Sequence, residues 1–200
     1  MTGLGGRLLD SGFGHPRGVL GRAGGRLMAR GNGPTELRIV ERAAVGPTDV
    51  VLVVGPGPGV GLRAAGERAR LAVGVDPSAL MLAQCRRRCA DLVERDAVRL
   101  RLGDAADTGQ PDDSVDVAIS VNSYQLWPDP PAGLAELHRV LRPDGRLLFS
   151  VHERWLPGGR DGLTTAVQDA GFVDVVTELW EPPGRSATTA VQLDARRGAP

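Results

Sequence analysis

Short apolar runs alternate with longer segments of helical period over most of this chain. Val50–Val54 (VVLVV) is apolar throughout, as a strand buried on both faces requires. Residues 61–70 read as a helix, 71–75 as a second strand with Asp76 at its end, and 78–94 as one long helix entered after Pro77. Val98–Leu102 and Val115–Val121 give the third and fourth strands. A helix over 132–141 stops before Pro143, 146–151 forms the fifth strand, and a helix over 161–170 is closed by Gly171. Residues 173–179 and 188–193 are strands joined by the Pro182-Pro183-Gly184 turn, with no helix between them, so an antiparallel hairpin is expected.

Ahead of Asp49 the pattern is weaker. Residues 34–44 suit a helix capped by Thr35, with Leu37, Val40, Glu41 and Ala44 at helical spacing and Gly46-Pro47 as its stop. Residues 15–31 suit a weaker helix, with Leu20, Ala23, Leu27 and Met28 on one face and Arg22, Arg26 and Arg30 on another. Residues 1–14 are Gly-rich and read as loose.

Repeated strand–helix units imply an α/β fold: a doubly wound, mainly parallel sheet of seven strands with an antiparallel final hairpin. Ligands of such sheets lie beyond the carboxyl ends of the strands. That rule selects residues 55–59, Asp76, Gly103-Asp104-Ala105, Asn122-Ser123-Tyr124 and His152-Glu153 as the rim of one site.

Composition narrows the chemistry. Two hundred residues suffice for one domain with a real core. The formal net charge is zero, so no global field draws the chain to nucleic acid or a membrane surface. The zero hides an asymmetry: residues 1–100 carry 15 Arg against 9 acids, and residues 101–200 the reverse. All basic residues are Arg, which excludes a lysine base or Schiff-base lysine. Arg86-Arg87-Arg88 spans most of a helical turn, so it reads as solvated surface rather than a nucleic-acid stripe. Cys85 and Cys89 have no His nearby and read as helix-face packing, not as a metal or redox pair. So few cysteines, no long apolar span and no hydrophobic leader give the expectation of a cytoplasmic protein without membrane insertion.

The first strand runs into glycines at 55, 57, 59 and 61. A dinucleotide fingerprint, G-x-G-x-x-G counted from Gly55, would need glycine where Val60 stands; the G-x-G-x-x-A at Gly59–Ala64 comes a turn too late for a nicotinamide site. Asp76 lies 21 positions beyond Gly55 and can accept from both hydroxyls of a ribose; the plainer reading is an exposed acid capping the helix at Ser78. Asp104 can accept from an adenine amino group, with the Ala105 N–H meeting the ring.

Several stretches together resemble the class I S-adenosylmethionine-dependent methyltransferases. V-L-V-V-G-P-G-P-G resembles V-L-D-V-G-C-G-P-G, and V-G-V-D-P-S-A-L-M-L resembles the family's ribose-binding segment. P-D-D-S-V-D-V-A-I-S-V-N and L-A-E-L-H-R-V-L-R-P-D-G-R-L-L-F-S resemble the segments that enter and follow the fourth strand. The likeness covers about 49–152 and is nearest to small-molecule enzymes like those of quinone biosynthesis. It implies a Rossmann-like fold, S-adenosylmethionine as cofactor and no metal. The cofactor set it implies is Gly55, Pro56, Gly57, Gly59, Asp76, Pro77, Met81, Gly103, Asp104, Ala105 and Asn122. It also implies an N-terminal helical lid over 1–48 on a binding domain over 49–200.

Two positions depart from the family. Val53 stands where an Asp or Glu is usual near the methionine end of the cofactor, and Pro56 removes one N–H from the turn. The implied reaction is methyl transfer to an oxygen, nitrogen or carbon nucleophile of a small molecule, as in secondary metabolism. His152 is the candidate base, with Tyr124 and Trp127 as pocket walls and Tyr124 as a second catalytic candidate. Alternatives are a non-catalytic cofactor-binding regulator, motivated by Val53, and a nicotinamide oxidoreductase. A homodimer is compatible with this reading.

Overall fold

The structure, a computed structural model, describes residues 32–183 and 188–199. The segments over 1–14 and 15–31, and with them most of the expected lid, lie outside the described residues, as does Gly184 of the expected turn. Helix α1 covers 32–42. Strand β1 (Val50–Val54), α2 (Val60–Gly66), β2 (Leu71–Asp76), α3 (Ala79–Arg88), α4 (Ala90–Glu94), β3 (Val98–Leu102) and β4 (Val115–Val121) follow. Then come α5 (Pro130–Val140), β5 (Leu141–His152), α6 (Gly159–Asp169), β6 (Phe172–Trp180) and β7 (Ala190–Arg197).

The sheet order is β3-β2-β1-β4-β5-β7-β6. Strands β1 to β5 run parallel; β7 inserts antiparallel between β5 and β6, so the last two strands form the expected hairpin. The order reverses between β1 and β4, where a doubly wound sheet opens a crevice for ligand.

Alternation along β1 sends its side chains to opposite faces. Val50, Leu52 and Val54 join one core with Leu134, Leu137 and Phe149. Val51 and Val53 join the other with Leu62, Cys85, Leu92 and the α1 residues Ile39 and Val40. Ile39 is fully buried, a contribution of about 2 kcal/mol to docking α1. The opposite side of α1 grips the hairpin. Arg38 Nε donates to Gln192 Oε1 (3.1 Å) and its Nη2 to Glu178 (3.0 Å), its guanidinium lies over Trp180, and Arg42 pairs with Glu178 and Asp194. The described part of the N-terminal segment is thus packed into the α/β body.

Several element boundaries differ from the sequence reading; β7, for one, covers Ala190–Arg197 where 188–193 is expected. α1 is already helical at residue 32, so Thr35 lies inside it, with a buried hydroxyl that finds no partner among the described residues, and does not cap it. The helix after β1 ends at Gly66, short of residue 70. The long helix divides at Cys89, whose backbone (φ −108°, ψ 23°) leaves helical geometry where its thiol seats beside the Gly59 carbonyl. β5 starts at Leu141, because α5 runs directly into the sheet, and a register shift opposite Val115–Val117 accommodates the extra residues 142–145 within the strand.

Candidate functional site

The turn after β1 is shaped by what surrounds each glycine. Gly55 (φ +66°) donates its N–H to Val75 O (2.9 Å), and a Cβ there would sit 2.4 Å from Ser123 Cβ. Ser123 is the reason for that crowding. Its hydroxyl donates to Val54 O, shares a hydrogen bond with Ser120, and accepts the Trp127 indole N–H, tying the end of β4 to the end of β1. Gly57 (φ +52°) is the opposite case: no atom of the described residues lies within 4 Å of a Cβ built on it, so a ligand can approach its backbone. Pro56 is buried, and its carbonyl accepts from Gly59 N–H, closing the turn before α2.

α3 braces the turn from behind. Cys85 Sγ meets Gly57 O at 3.1 Å, and Arg88 Nε donates to Pro58 O at 2.8 Å. Arg88 is therefore more than solvated surface, although Arg86 to Arg88 are all exposed. Burial pushes both thiols above the ordinary range, Cys89 to about 11, so neither is a nucleophile near neutral pH.

Asp76 ends β2 and is buried, not the exposed acid of the plainer reading. Its Oδ1 accepts the Ser78 N–H (2.8 Å), and the Ser78 hydroxyl in turn caps α3 by accepting from Met81 N–H. This chain of short-range bonds fixes the carboxylate at the carboxyl end of β2 and Met81, also buried, beside it; Pro77 between them is exposed. Beyond β3, Gly103 allows a tight passage, since a Cβ would meet Asp107 O at 2.7 Å. Asp104 Oδ1 holds its own turn, accepting from Ala106 and Asp107 N–H, so that oxygen serves the loop rather than an adenine. Ala105 is buried.

At the β4–β5 side, Asn122 takes a left-handed backbone (φ +51°) and its Oδ1 accepts the His152 N–H (3.1 Å). That assigns the amide orientation and leaves Nδ2 buried without an acceptor among the described residues. His152 is half-buried. Its Nδ1 lies 3.2 Å from Thr188 O and 2.9 Å from Thr188 Oγ1. A carbonyl only accepts, which places the proton on Nδ1 and leaves Nε2 as the lone-pair nitrogen. Burial, assisted by Arg154, lowers the imidazole's pKa against the opposing Thr188 bond, so the ring is neutral at pH 7. Tyr124 is packed edge-on to Trp127 (5.2 Å) and beside Phe149 (5.6 Å), and burial raises its phenol. That environment disfavours phenolate and makes Tyr124 a wall of the site rather than a base.

One residue that the motifs do not reveal lies on the rim. Glu36 of α1 is buried, and its Oε2 accepts the Gly61 N–H at 2.6 Å. With Val40, Val53, Gly55, Pro56, Gly61, Ile119 and Val121 it lines a recess between α1 and the ends of β1 and β4. Desolvation pushes its carboxyl up to about 7, against the Gly61 bond and the nearby Arg88, which both favour the anion. The signal in the sequence is the apolar Val53, which leaves the end of β1 without an acid of its own.

A methyltransferase-domain family profile matches residues 52–149. A nocamycin O-methyltransferase of Saccharothrix syringae is 38% identical over 119 residues, covering 57% of this chain and 41% of its own. The methyltransferase YdaC of Bacillus subtilis (strain 168) is 30% identical over 132 residues, covering 65% of this chain and 71% of its own. Among solved structures, phosphoethanolamine N-methyltransferase 2 of Haemonchus contortus, bound to phosphomonomethylethanolamine and S-adenosylhomocysteine, superposes with a TM-score of 0.76 at 18% identity, over 96% of this chain and 59% of that one. At that identity the likeness establishes the fold. The chain spans less than half the length of the first curated relatives it matches, at 41% and 30%.

Proposed function

The chain belongs to the methyltransferase-domain family, and from that premise we propose that it transfers a methyl group from S-adenosylmethionine to a small-molecule acceptor. The observation that carries the reading is a pairing at neighbouring strand ends: an open glycine, Gly57, after β1 and a buried carboxylate, Asp76, ending β2. Two further features fit this cofactor: the Nδ2 of Asn122, which has no acceptor among the described residues and is suited to a carboxylate or carbonyl oxygen, and the recess lined by Glu36. When bound, the sulfonium would supply an electrophilic methyl carbon, whose transfer to a nucleophile breaks its C–S bond and releases the neutral thioether.

The chain's own contribution is placement and proton handling. Asp76 accepts from the ribose hydroxyls while the Ser78 N–H holds its other side. His152 Nε2 takes the proton of an oxygen or nitrogen nucleophile, and Thr188 fixes the ring. The Tyr124–Trp127–Phe149 cluster walls the acceptor side and keeps water out. A hydroxyl of a secondary metabolite is the first acceptor class to examine, since the nocamycin enzyme is named an O-methyltransferase; the quinone-like subgroup is the second. A cytoplasmic setting suits such a reaction.

Incubation with S-adenosylmethionine and a panel of phenols, hydroxyquinones and amines tests the proposal. Methylated product from one acceptor class, reduced about 100-fold in kcat by His152→Gln, is expected. Cofactor binding without turnover across the whole panel would argue for a non-catalytic binding protein instead.

A further inference from the structure

The recess at the end of β1 is apolar on nearly every side: Val40 from α1, Val53 from β1, and Ile119 and Val121 from β4. One carboxylate enters it, from Glu36. A buried carboxylate in an apolar recess costs stability unless it meets a cation or several N–H donors. Among the described residues Glu36 Oε2 has one such donor, the Gly61 N–H. Gln at this position would make that same bond at no charge cost, so the single backbone bond does not account for an acid here. The acid is also firmly placed: α1 is anchored through Ile39 and Val40 on one side and through Arg38 and Arg42 on the other. The side chain therefore projects from a fixed helix and not from a free arm.

Position 53 opens into the same recess as Glu36, and there the chain has valine. We infer that Glu36 receives a primary ammonium, that of the amino-acid end of the cofactor, doing from α1 what an acid on β1 at position 53 would otherwise do. This inference rests on the proposed cofactor and specifies which side chain holds its charged end.

The groups around Glu36 bear on its titration. From α3, Arg88 favours the anion; Cys85, raised by burial first and by Asp76 and Glu36 among its neighbours, remains a thiol. The β1 and β4 walls bring only Val53, Ile119 and Val121, and on α1 itself Arg38 and Arg42 are engaged with the hairpin. With the carboxyl pushed up to about 7, part of the ligand-free protein is protonated at neutral pH, and an ammonium selects the anion. Affinity for an ammonium ligand should rise about tenfold from pH 6 to pH 8.

The experiment is calorimetric titration of the full chain and of Glu36→Gln with S-adenosylhomocysteine and with 5′-methylthioadenosine. The second ligand keeps the adenosine and sulfur and lacks the amino-acid end. Glu36→Gln should weaken S-adenosylhomocysteine about 10- to 100-fold, leave methylthioadenosine unchanged and flatten the pH dependence. Adding Val53→Asp to Glu36→Gln should restore part of the lost affinity. An unchanged affinity for S-adenosylhomocysteine, or an equal loss for both ligands, would overturn the assignment of Glu36 while leaving the cofactor reading intact. Failure of the unmodified chain to bind either ligand would overturn the cofactor reading and this inference with it.

Discussion

Along β1 and β2 the rim is made of short-range pieces, whereas along β4 and β5 it is made of residues that hold one another across the sheet. Asp76 is fixed by Ser78, two residues on, and the glycine turn closes on itself through Pro56 and Gly59. Asn122 and His152 are thirty residues apart and join through Oδ1 and N–H; His152 and Thr188 are thirty-six apart. The first arrangement survives any change of acceptor, because it depends on one strand end and its turn. The second depends on how β4, β5 and β7 come together, so it can vary with the acceptor while the cofactor side stays constant. Glu36 belongs to the cofactor side by position and to the long-range kind by construction, reaching Gly61 from a helix outside the strand–turn motif.

The largest expected effect separates two glycines of one turn. Gly55→Ala places a methyl 2.4 Å from Ser123 Cβ at a positive φ, and should destabilise the protein by about 3 kcal/mol or more in urea melts. Gly57→Ala meets no atom of the described residues and should cost only about 1–2 kcal/mol, yet it should abolish measurable S-adenosylhomocysteine binding because its methyl occupies the ligand's approach. Equal stability losses in the two variants would undo the distinction between a packing glycine and a ligand glycine.

Next in size is Asp76→Asn, which keeps an acceptor for Ser78 N–H and removes the charge. Affinity for S-adenosylhomocysteine should fall about 100-fold with little change in melting temperature. His152→Gln on the other side should leave that affinity intact and lower kcat alone; a parallel loss of affinity would move His152 to the cofactor side of the rim.

Glu36→Gln gives a smaller effect with a definite sign in the absence of ligand. The folded protein holds the Glu36 proton up to about pH 7, while the unfolded chain releases it near 4.5. Between those values the folded state binds more protons, so stability is greatest at the acidic end and declines as pH rises to about 7. The variant should lack that decline and be up to about 3 kcal/mol more stable than the parent at pH 8. A variant less stable at pH 8 would show that the carboxylate is already well paired. Arg42→Ala should have the smallest effect, about 1 kcal/mol or less, since its ion pairs with Glu178 and Asp194 are partly exposed.

The same contrast governs what the sequence discloses. Val50–Val54, Val98–Leu102 and Val115–Val121 have the same bounds in the sequence pattern and in the structure, because a mostly apolar run, or in Val98–Leu102 an apolar–polar alternation, is a local signal when turn residues bound it. Helix ends are less legible: nothing in Gln84–Cys89 announces the break that seats Cys89 against the glycine turn. Asp76 and Gly57 are legible through spacing from the strand. Asp104 and Tyr124 illustrate the limit, since each stands at the expected place while local bonds or packing direct one carboxylate oxygen and the aromatic ring to structural work. Glu36 is illegible from motifs, because its role depends on how α1 docks twenty-five residues from its partner.

The central claim, that the crevice between β1 and β4 takes an adenosine sulfonium cofactor, is tested most directly by calorimetric titration of the unmodified chain at pH 8 with S-adenosylhomocysteine and, separately, with NADH. The account predicts saturable one-site binding of S-adenosylhomocysteine in the micromolar range and none of NADH. No heat with S-adenosylhomocysteine at millimolar concentration, or tighter binding of NADH, would contradict it.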